Sequence, residues 1–299
     1  MTEHVLGGRL SPDEMFPARD PRFRARYVSV RVRGVPLRLR VIECGDARAA
    51  DTVVCVHGWA CSVYSYRVLM PMLAARGMRT IAMDLPGAGL SDKPDDPSLY
   101  TIDAQVESVI ATMDAIGVER ALLVGHSMGA PISARLAVVA PERVRGLVLL
   151  APAGFGEETV LRIASAITPR VIAPALPFLA RRWLFALVLG FAYGRIYRPT
   201  ARDVDEYWAP SRYPAFIRAM WDLLHHFDWN AGGHGDFERI TVPAAVLDGS
   251  DDHFIVRYWV ARWARVLPHA AIERIAGCGH GVAEEAPQAV VDAVMALLR

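Results

Sequence analysis

Hydrophobic and polar positions follow two rhythms along most of the chain. Side chains alternate through Tyr27-Val28-Ser29-Val30-Arg31-Val32 and, after Gly34, again through Leu37-Arg38-Leu39-Arg40-Val41-Ile42. A period of two predicts a hairpin of two half-exposed strands. The later runs lack a polar face: Thr52 to Val56, Met78 to Asp84, Arg120 to Val124 and Val144 to Leu150 are nearly continuous apolar stretches, as expected of strands buried on both sides. Between them, residues 62–76, Thr101 to Gly117 and the segment from Pro131 carry helical spacing, with Thr101 a candidate N-cap and Gly117 a terminator. Strands alternating with helices predict an α/β fold built on a mostly parallel, doubly wound sheet of about eight strands.

The rhythm stops between Phe155 and Phe237. That stretch holds no run typical of a buried strand; it is rich in Leu, Phe, Trp, Tyr and Arg and is broken by Pro169, Pro174, Pro177, Pro199, Pro210 and Pro214. It reads as a helical insertion forming a cap. The α/β pattern then resumes with Val242 to Leu247, a helix over Val256 to Leu267, the strand Ala271 to Ile275 and a helix from Pro287 to Arg299. Residues 1–26 are polar and without period, an arm of uncertain order. The expected division is therefore an arm (1–26), a core (27–154 and 238–299) and a cap (155–237).

Composition narrows the function. The 299 residues suit one large domain with an insertion. Thirty-three basic against 32 acidic residues give a formal net charge of +1, so nucleic acid is not an expected partner. Hydrophobic residues make up 53% of the chain, but the longest apolar run, Trp183 to Tyr193, is only eleven residues long, too short to cross a bilayer. The start Met1-Thr2-Glu3-His4 lacks the features of a secretion signal, so a cytoplasmic address is expected. Cys44, Cys55, Cys61 and Cys278 have no C-x-x-C spacing and are expected to be free thiols.

The candidate chemistry centres on Val124-Gly125-His126-Ser127-Met128-Gly129-Ala130, where an apolar strand meets a helix-spaced segment. Gly125 and Gly129 flank Ser127 in the pattern G-x-S-x-G, whose sharp strand-to-helix turn exposes the middle hydroxyl. The free N–H groups of the following helix favour negative charge there. Serine at its ordinary pKa is a poor nucleophile and needs a base, which in turn needs an orienting acid. His280, between glycines in the loop after the last predicted strand, is the candidate base. Gly249-Ser250-Asp251-Asp252 follows a strand and offers two acids. His225, His226 and His234 lack correctly spaced acidic or cysteine partners, and no metal ion is expected.

Taken together, these motifs resemble the α/β-hydrolase superfamily, most of all its serine carboxylesterases and lipases with a helical cap. The likeness runs from about Tyr27 to Arg299. It rests on His57-Gly58-Trp59, Asp84-Leu85-Pro86-Gly87-Ala88-Gly89-Leu90-Ser91, Gly125-His126-Ser127-Met128-Gly129, Gly249-Ser250-Asp251-Asp252, and Gly279-His280 followed by Glu285-Ala286-Pro287. In this family the acid usually stands three residues after that glycine, which selects Asp252 and gives the order Ser127, Asp252, His280. Some relatives place the acid after the preceding strand, where Glu157 and Glu158 stand here. The backbone N–H of Met128, next to the nucleophile, is the first expected oxyanion donor, and the resemblance points to Trp59 for the second. His57 and the turn from Asp84 to Ser91 read as bracing.

The expected function is cleavage of a small-molecule carboxylic ester with an apolar acyl or aryl group, through an acyl-enzyme and without a cofactor. Trp59, Trp183 and Phe185 are expected in the substrate pocket. Serine at position 127 sets the chain apart from epoxide hydrolases and haloalkane dehalogenases, which place aspartate there. Gly281 sets it apart from carbon–carbon hydrolases of ring-cleavage products, which usually carry tryptophan. The alternatives are such a carbon–carbon hydrolase, or a ligand receptor of the same fold with little turnover. The insertion is also a candidate for peripheral lipid contact, with Arg181 and Arg182 at headgroup level.

Overall fold

The computed structural model describes residues 9–156, 166, 168, 176–255 and 257–299. The hairpin predicted from alternation is present and longer than expected. Strand β1 (Phe23–Val32) pairs antiparallel with β2 (Val35–Cys44), and Arg33 and Gly34 make the turn at φ +48° and +78°. The early start of β1 has a physical cause: Phe23 pairs with Cys44, and its buried ring meets Phe16 edge-on at 4.8 Å.

The arm therefore differs from the expectation. From Arg9 onward it is fastened to both the sheet and the insertion. Arg9 Nε donates to Ser211 Oγ at 2.8 Å, the Phe16 N–H donates to Glu206 Oε1 at 2.7 Å, and the Arg40 guanidinium donates to the Phe16 carbonyl. Met15 and Phe16, two apolar residues in a polar stretch, are buried and anchor it.

The remaining strands are β3 (Thr52–Val56), β4 (Arg79–Met83), β5 (Ala121–His126), β6 (Val144–Leu150), β7 (Ala244–Gly249) and β8 (Ala271–Ile275). They form one sheet in the order β1-β2-β4-β3-β5-β6-β7-β8, parallel from β4 to β8. Helices α1 (Leu69–Ala74), α2 (Ile102–Ala115) and α3 (Gly129–Val139) belong to the first half. Thr101 caps α2 by accepting the Ala104 N–H at 3.3 Å. The stretch between β6 and β7 contributes α4 (Leu176–Leu179), α5 (Arg182–Ala192), α6 (Ala201–Trp208) and α7 (Pro214–His226), and no strand among the described residues. Helices α8 (Arg257–Val266), α9 (Val282–Glu285) and α10 (Pro287–Leu297) complete the chain.

This order places the site. The chain leaves β3 towards β4 on one side and then crosses to β5 on the other, so the connections diverge at the carboxyl ends of β3 and β5. A crevice opens at such a switch point. His57-Gly58-Trp59 follows β3 there, and Ser127 follows β5.

Candidate active site

The turn after β5 is built by close backbone approach. A Cβ on Gly129 would stand 2.0 Å from the Val56 carbonyl oxygen, and one on Gly125 would stand 2.5 Å from that of Gly129. Only glycine fits at either place, and the strand and helix are drawn together until the residue between them is forced left-handed. Ser127 accordingly has φ +52°, a conformation that costs a non-glycine residue about 1–3 kcal/mol and clusters at functional sites.

His280 and Asp252 come together from the loops after β8 and β7. His280 Nδ1 donates to Asp252 Oδ2 at 2.8 Å, and Asp252 Oδ1 accepts the N–H groups of Phe254 at 2.7 Å and Ile255 at 3.0 Å. Burial alone would raise the Asp252 carboxyl, but the His280 charge and these donors outweigh it and hold the group below the ordinary carboxylate range. With Nδ1 protonated, the neutral ring carries its lone pair on Nε2, the atom required to take a serine proton. Asp251 goes elsewhere, accepting from Ser250 Oγ at 2.7 Å and lying 3.6 Å from Arg195. Glu157 and Glu158 lie outside the described residues.

The loop carrying His280 is held from several sides. His126 Nε2 donates to the His280 carbonyl at 2.8 Å, and burial followed by the nearby His280 charge pushes the His126 pKa down to about 3, so this ring stays neutral. Glu285 collects the N–H groups of Gly279, Gly281 and, from the insertion, Gly194 at 2.8 to 3.1 Å. The His280 N–H donates to Ala192 O at 2.7 Å. After β3, His57 accepts the Leu85 N–H on Nε2 at 3.0 Å and donates from Nδ1 to Gly58 O at 2.8 Å, while Asp84 accepts the N–H groups of Val63 and Leu90. Both residues therefore brace loops. The backbone N–H groups of Trp59 and Met128 make no hydrogen bond among the described residues, while the Trp59 indole N–H donates to the Met220 carbonyl at 2.9 Å.

Ser127 and His280 share the wall of a cavity of about 410 Å³. Trp59 and Phe185 line it, as do Met220 and Leu224 from α7. Trp183 is a correction: it is 66% exposed and outside the lining, because two positions along a helix are about 200° apart, which turns it away from Phe185. Cys61 also lines the cavity; burial pushes its thiol up to about 12, so it stays protonated at neutral pH.

Comparison with known proteins places the chain in a family. Residues 51–287 match the family described as alpha/beta hydrolase fold. The chain belongs to that family. It is 28% identical over 249 residues to an uncharacterized hydrolase, YugF, of Bacillus subtilis, a match covering 80% of this chain and 87% of that one. Epoxide hydrolase B of Mycobacterium tuberculosis is 40% identical over 120 residues, only 36% of this hydrolase and 34% of that protein. The solved structure of a meta-cleavage product hydrolase from Pseudomonas fluorescens superposes with a TM-score of 0.74 at 20% identity, covering 90% of this chain and 96% of that one. At that identity the likeness speaks to fold alone.

Sequence reading misses a second ionic cluster in this hydrolase. Arg67 pairs with Asp203 at 2.6 Å and with Glu284, and its guanidinium lies 4.1 Å from the centre of the Tyr64 ring. Tyr193 and Tyr207 donate to Glu284 Oε2 at 2.5 and 2.7 Å; Tyr64 and Tyr197 donate to Asp203 at 2.7 and 2.8 Å. Arg67 and Glu284 come from the core, whereas Asp203 and three of the tyrosines come from the insertion. The partners of Arg67 lie 136 and 217 positions away, so no local pattern announces them. The one nearby signal, Thr200 three residues before Asp203, marks the capping box of α6.

Proposed function

We propose that this chain is a serine hydrolase of neutral carboxylic esters with an apolar acyl or aryl group. The observation that carries the reading is the conjunction, on one mainly hydrocarbon cavity, of a serine at a strained turn and a histidine oriented by a buried carboxylate. In the proposed cycle His280 takes the Ser127 proton, Asp252 stabilises the resulting imidazolium, and the alkoxide attacks the ester carbonyl. The Trp59 and Met128 N–H groups receive the oxyanion. His280 then protonates the leaving alcohol and later activates the water that releases the acid. Residues 155–237 act as the cap that shapes the pocket over a core of residues 27–154 and 238–299.

Three features favour this chemistry over that of other family members. Epoxide opening in the manner of the family's aspartate enzymes needs a carboxylate where Ser127 stands. Among the described lining residues there is no Lys or Arg to neutralise an anionic substrate group, and Gly281 occupies the position of the tryptophan usual in carbon–carbon hydrolases. A volume of about 410 Å³ suits a drug-sized ligand.

The test is hydrolysis of p-nitrophenyl esters from acetate to palmitate by the wild type and by a folded Ser127→Ala variant. Steady turnover that disappears in the variant, with esters longer than acetate preferred, is expected. A burst without turnover would turn the reading towards a ligand receptor, and activity surviving the substitution would remove Ser127 from the mechanism.

A further inference from the structure

Among the described residues no helix is long and apolar enough to cross a membrane, yet α5 is apolar on the side it shows to solvent. Trp183, Leu187 and Phe191 succeed one another at four-residue spacing and are 66%, 64% and 46% exposed; Phe178 and Leu179 of α4 add neighbours at 67% and 60%. An ordinary surface helix keeps its apolar stripe inward. Here the inward positions are apolar too. Leu184 and Val188 line the cavity while remaining 37% and 48% exposed, so a single layer of side chains separates the cavity from solvent.

The charges that this stretch of chain itself contributes have one sign. From Leu176 to Arg198 there is no Asp or Glu, and four arginines stand at the two ends of α5: Arg181 and Arg182 at its start, Arg195 and Arg198 after it. Arg182 pairs with Asp205 at 2.6 Å and Arg195 lies 3.6 Å from Asp251, while Arg181 and Arg198 are exposed. An apolar stripe bounded by cations matches a surface with hydrocarbon below and phosphates at its rim. It fits a second copy of the chain poorly, because an isologous contact through the stripe would bring two sets of arginines together.

We infer that the outer face of α4 and α5 docks on an anionic phospholipid bilayer, with Trp183, Leu187 and Phe191 in the acyl boundary and the arginines at the phosphates. Docking does not depend on the ester chemistry. Its consequence does: if the cavity cleaves apolar esters, α5 is the wall through which a bilayer-derived ester reaches Ser127.

The experiment is co-sedimentation of the full chain, as Ser127→Ala so that no lipid is consumed, with phosphatidylcholine vesicles with and without phosphatidylglycerol. Binding is expected only with the anionic lipid and weakens as salt rises. Trp183→Ser with Leu187→Ser abolishes it, and Arg195→Gln with Arg198→Gln lowers affinity about 25-fold, about fivefold per charge. Absence of binding, or equal binding to neutral vesicles, overturns the inference. So does a concentration-dependent dimer that Trp183→Ser dissociates, which would make the stripe an interface between copies. Turnover of soluble esters on the Ser127 background is read separately, so failure of docking and failure of the hydrolase reading are distinguishable.

Discussion

Two buried clusters of paired charges flank the same cavity, and they use the same chemistry to different ends. At one, Asp252 and His280 face each other at 2.8 Å, and the cation-forming partner is an imidazole that keeps a second nitrogen for other work. At the other, Arg67 is held between Asp203 and Glu284, and four tyrosine hydroxyls are spent on the two carboxylates. The first holds a proton that can move. The second holds a guanidinium, which keeps its proton under any working condition, and it joins insertion to core. A buried ion pair thus reads as chemistry or as architecture according to whether its cation can titrate and whether its carboxylates are saturated.

The largest effect that would test the contrast is on catalysis. Asp252→Asn keeps the shape of the acid but no longer fixes the imidazole tautomer, and kcat for a p-nitrophenyl ester is expected to fall about ten-thousandfold. Stability should fall at neutral pH by the contribution of the depressed Asp252 carboxyl, a loss far smaller than that in kcat because the N–H groups of Phe254 and Ile255 keep an amide oxygen to donate to. The checks are steady-state kinetics and urea unfolding on one preparation. A loss of less than tenfold would mean that the Asp252–His280 pair is architecture as well.

Arg67→Met should do the reverse. It leaves Asp203 and Glu284 buried without their cation, a change expected to cost about 3–5 kcal/mol in urea unfolding, while kcat measured well below the new Tm stays within about tenfold of wild type. Burial already raises the Glu284 carboxyl despite Arg67 and the tyrosines. Without Arg67 it rises further, so the deficit should grow with pH as the unpaired group is forced to ionise. A collapse of kcat with unchanged stability would place this cluster in the chemistry.

How much of this is legible in sequence differs between the same two regions. β3 spans Thr52–Val56 and β6 spans Val144–Leu150 as the apolar runs predict, because a central strand in a parallel sheet writes its burial into consecutive residues. The turn at Ser127 is legible because Gly125, Ser127 and Gly129 stand within five positions, although the backbone that demands Gly129 is that of Val56 on the neighbouring strand. The outward placement of Trp183 is not, because α5 is apolar on every side and the pattern does not say which face meets the cavity. The Arg67 cluster is invisible locally, since each charge looks like an ordinary surface residue until the fold brings its partners from more than a hundred positions away. Met15 and Phe16 are hidden in the same way by the polar residues around them.

The smallest of the three effects concerns a carboxylate that belongs to neither cluster. Asp248, at the end of β7, is 1% exposed, and its Oδ1 has no hydrogen-bond partner among the described residues; Oδ2 lies 3.8 Å from Arg274. Burial, and then the negative charge of Asp252, push its pKa from 3.8 up to about 6. A raised acid binds its proton more tightly folded than unfolded. Its contribution is therefore fully present below about pH 4 and is lost as pH rises through about 6. Above that, the wild type carries a buried, poorly paired charge. Asp248→Asn removes it, so the variant should match the wild type near pH 4 and gain up to about 3 kcal/mol at pH 8, read from urea unfolding at both values. Asp252 works in the other direction in both proteins: its depressed carboxyl gives stability above the ordinary carboxylate range and loses it as pH falls through the folded value. If Asp248→Asn is instead destabilising at pH 8, Asp248 is a satisfied supporting partner of Asp252, and the Asp252–His280 cluster is as saturated as the one around Arg67.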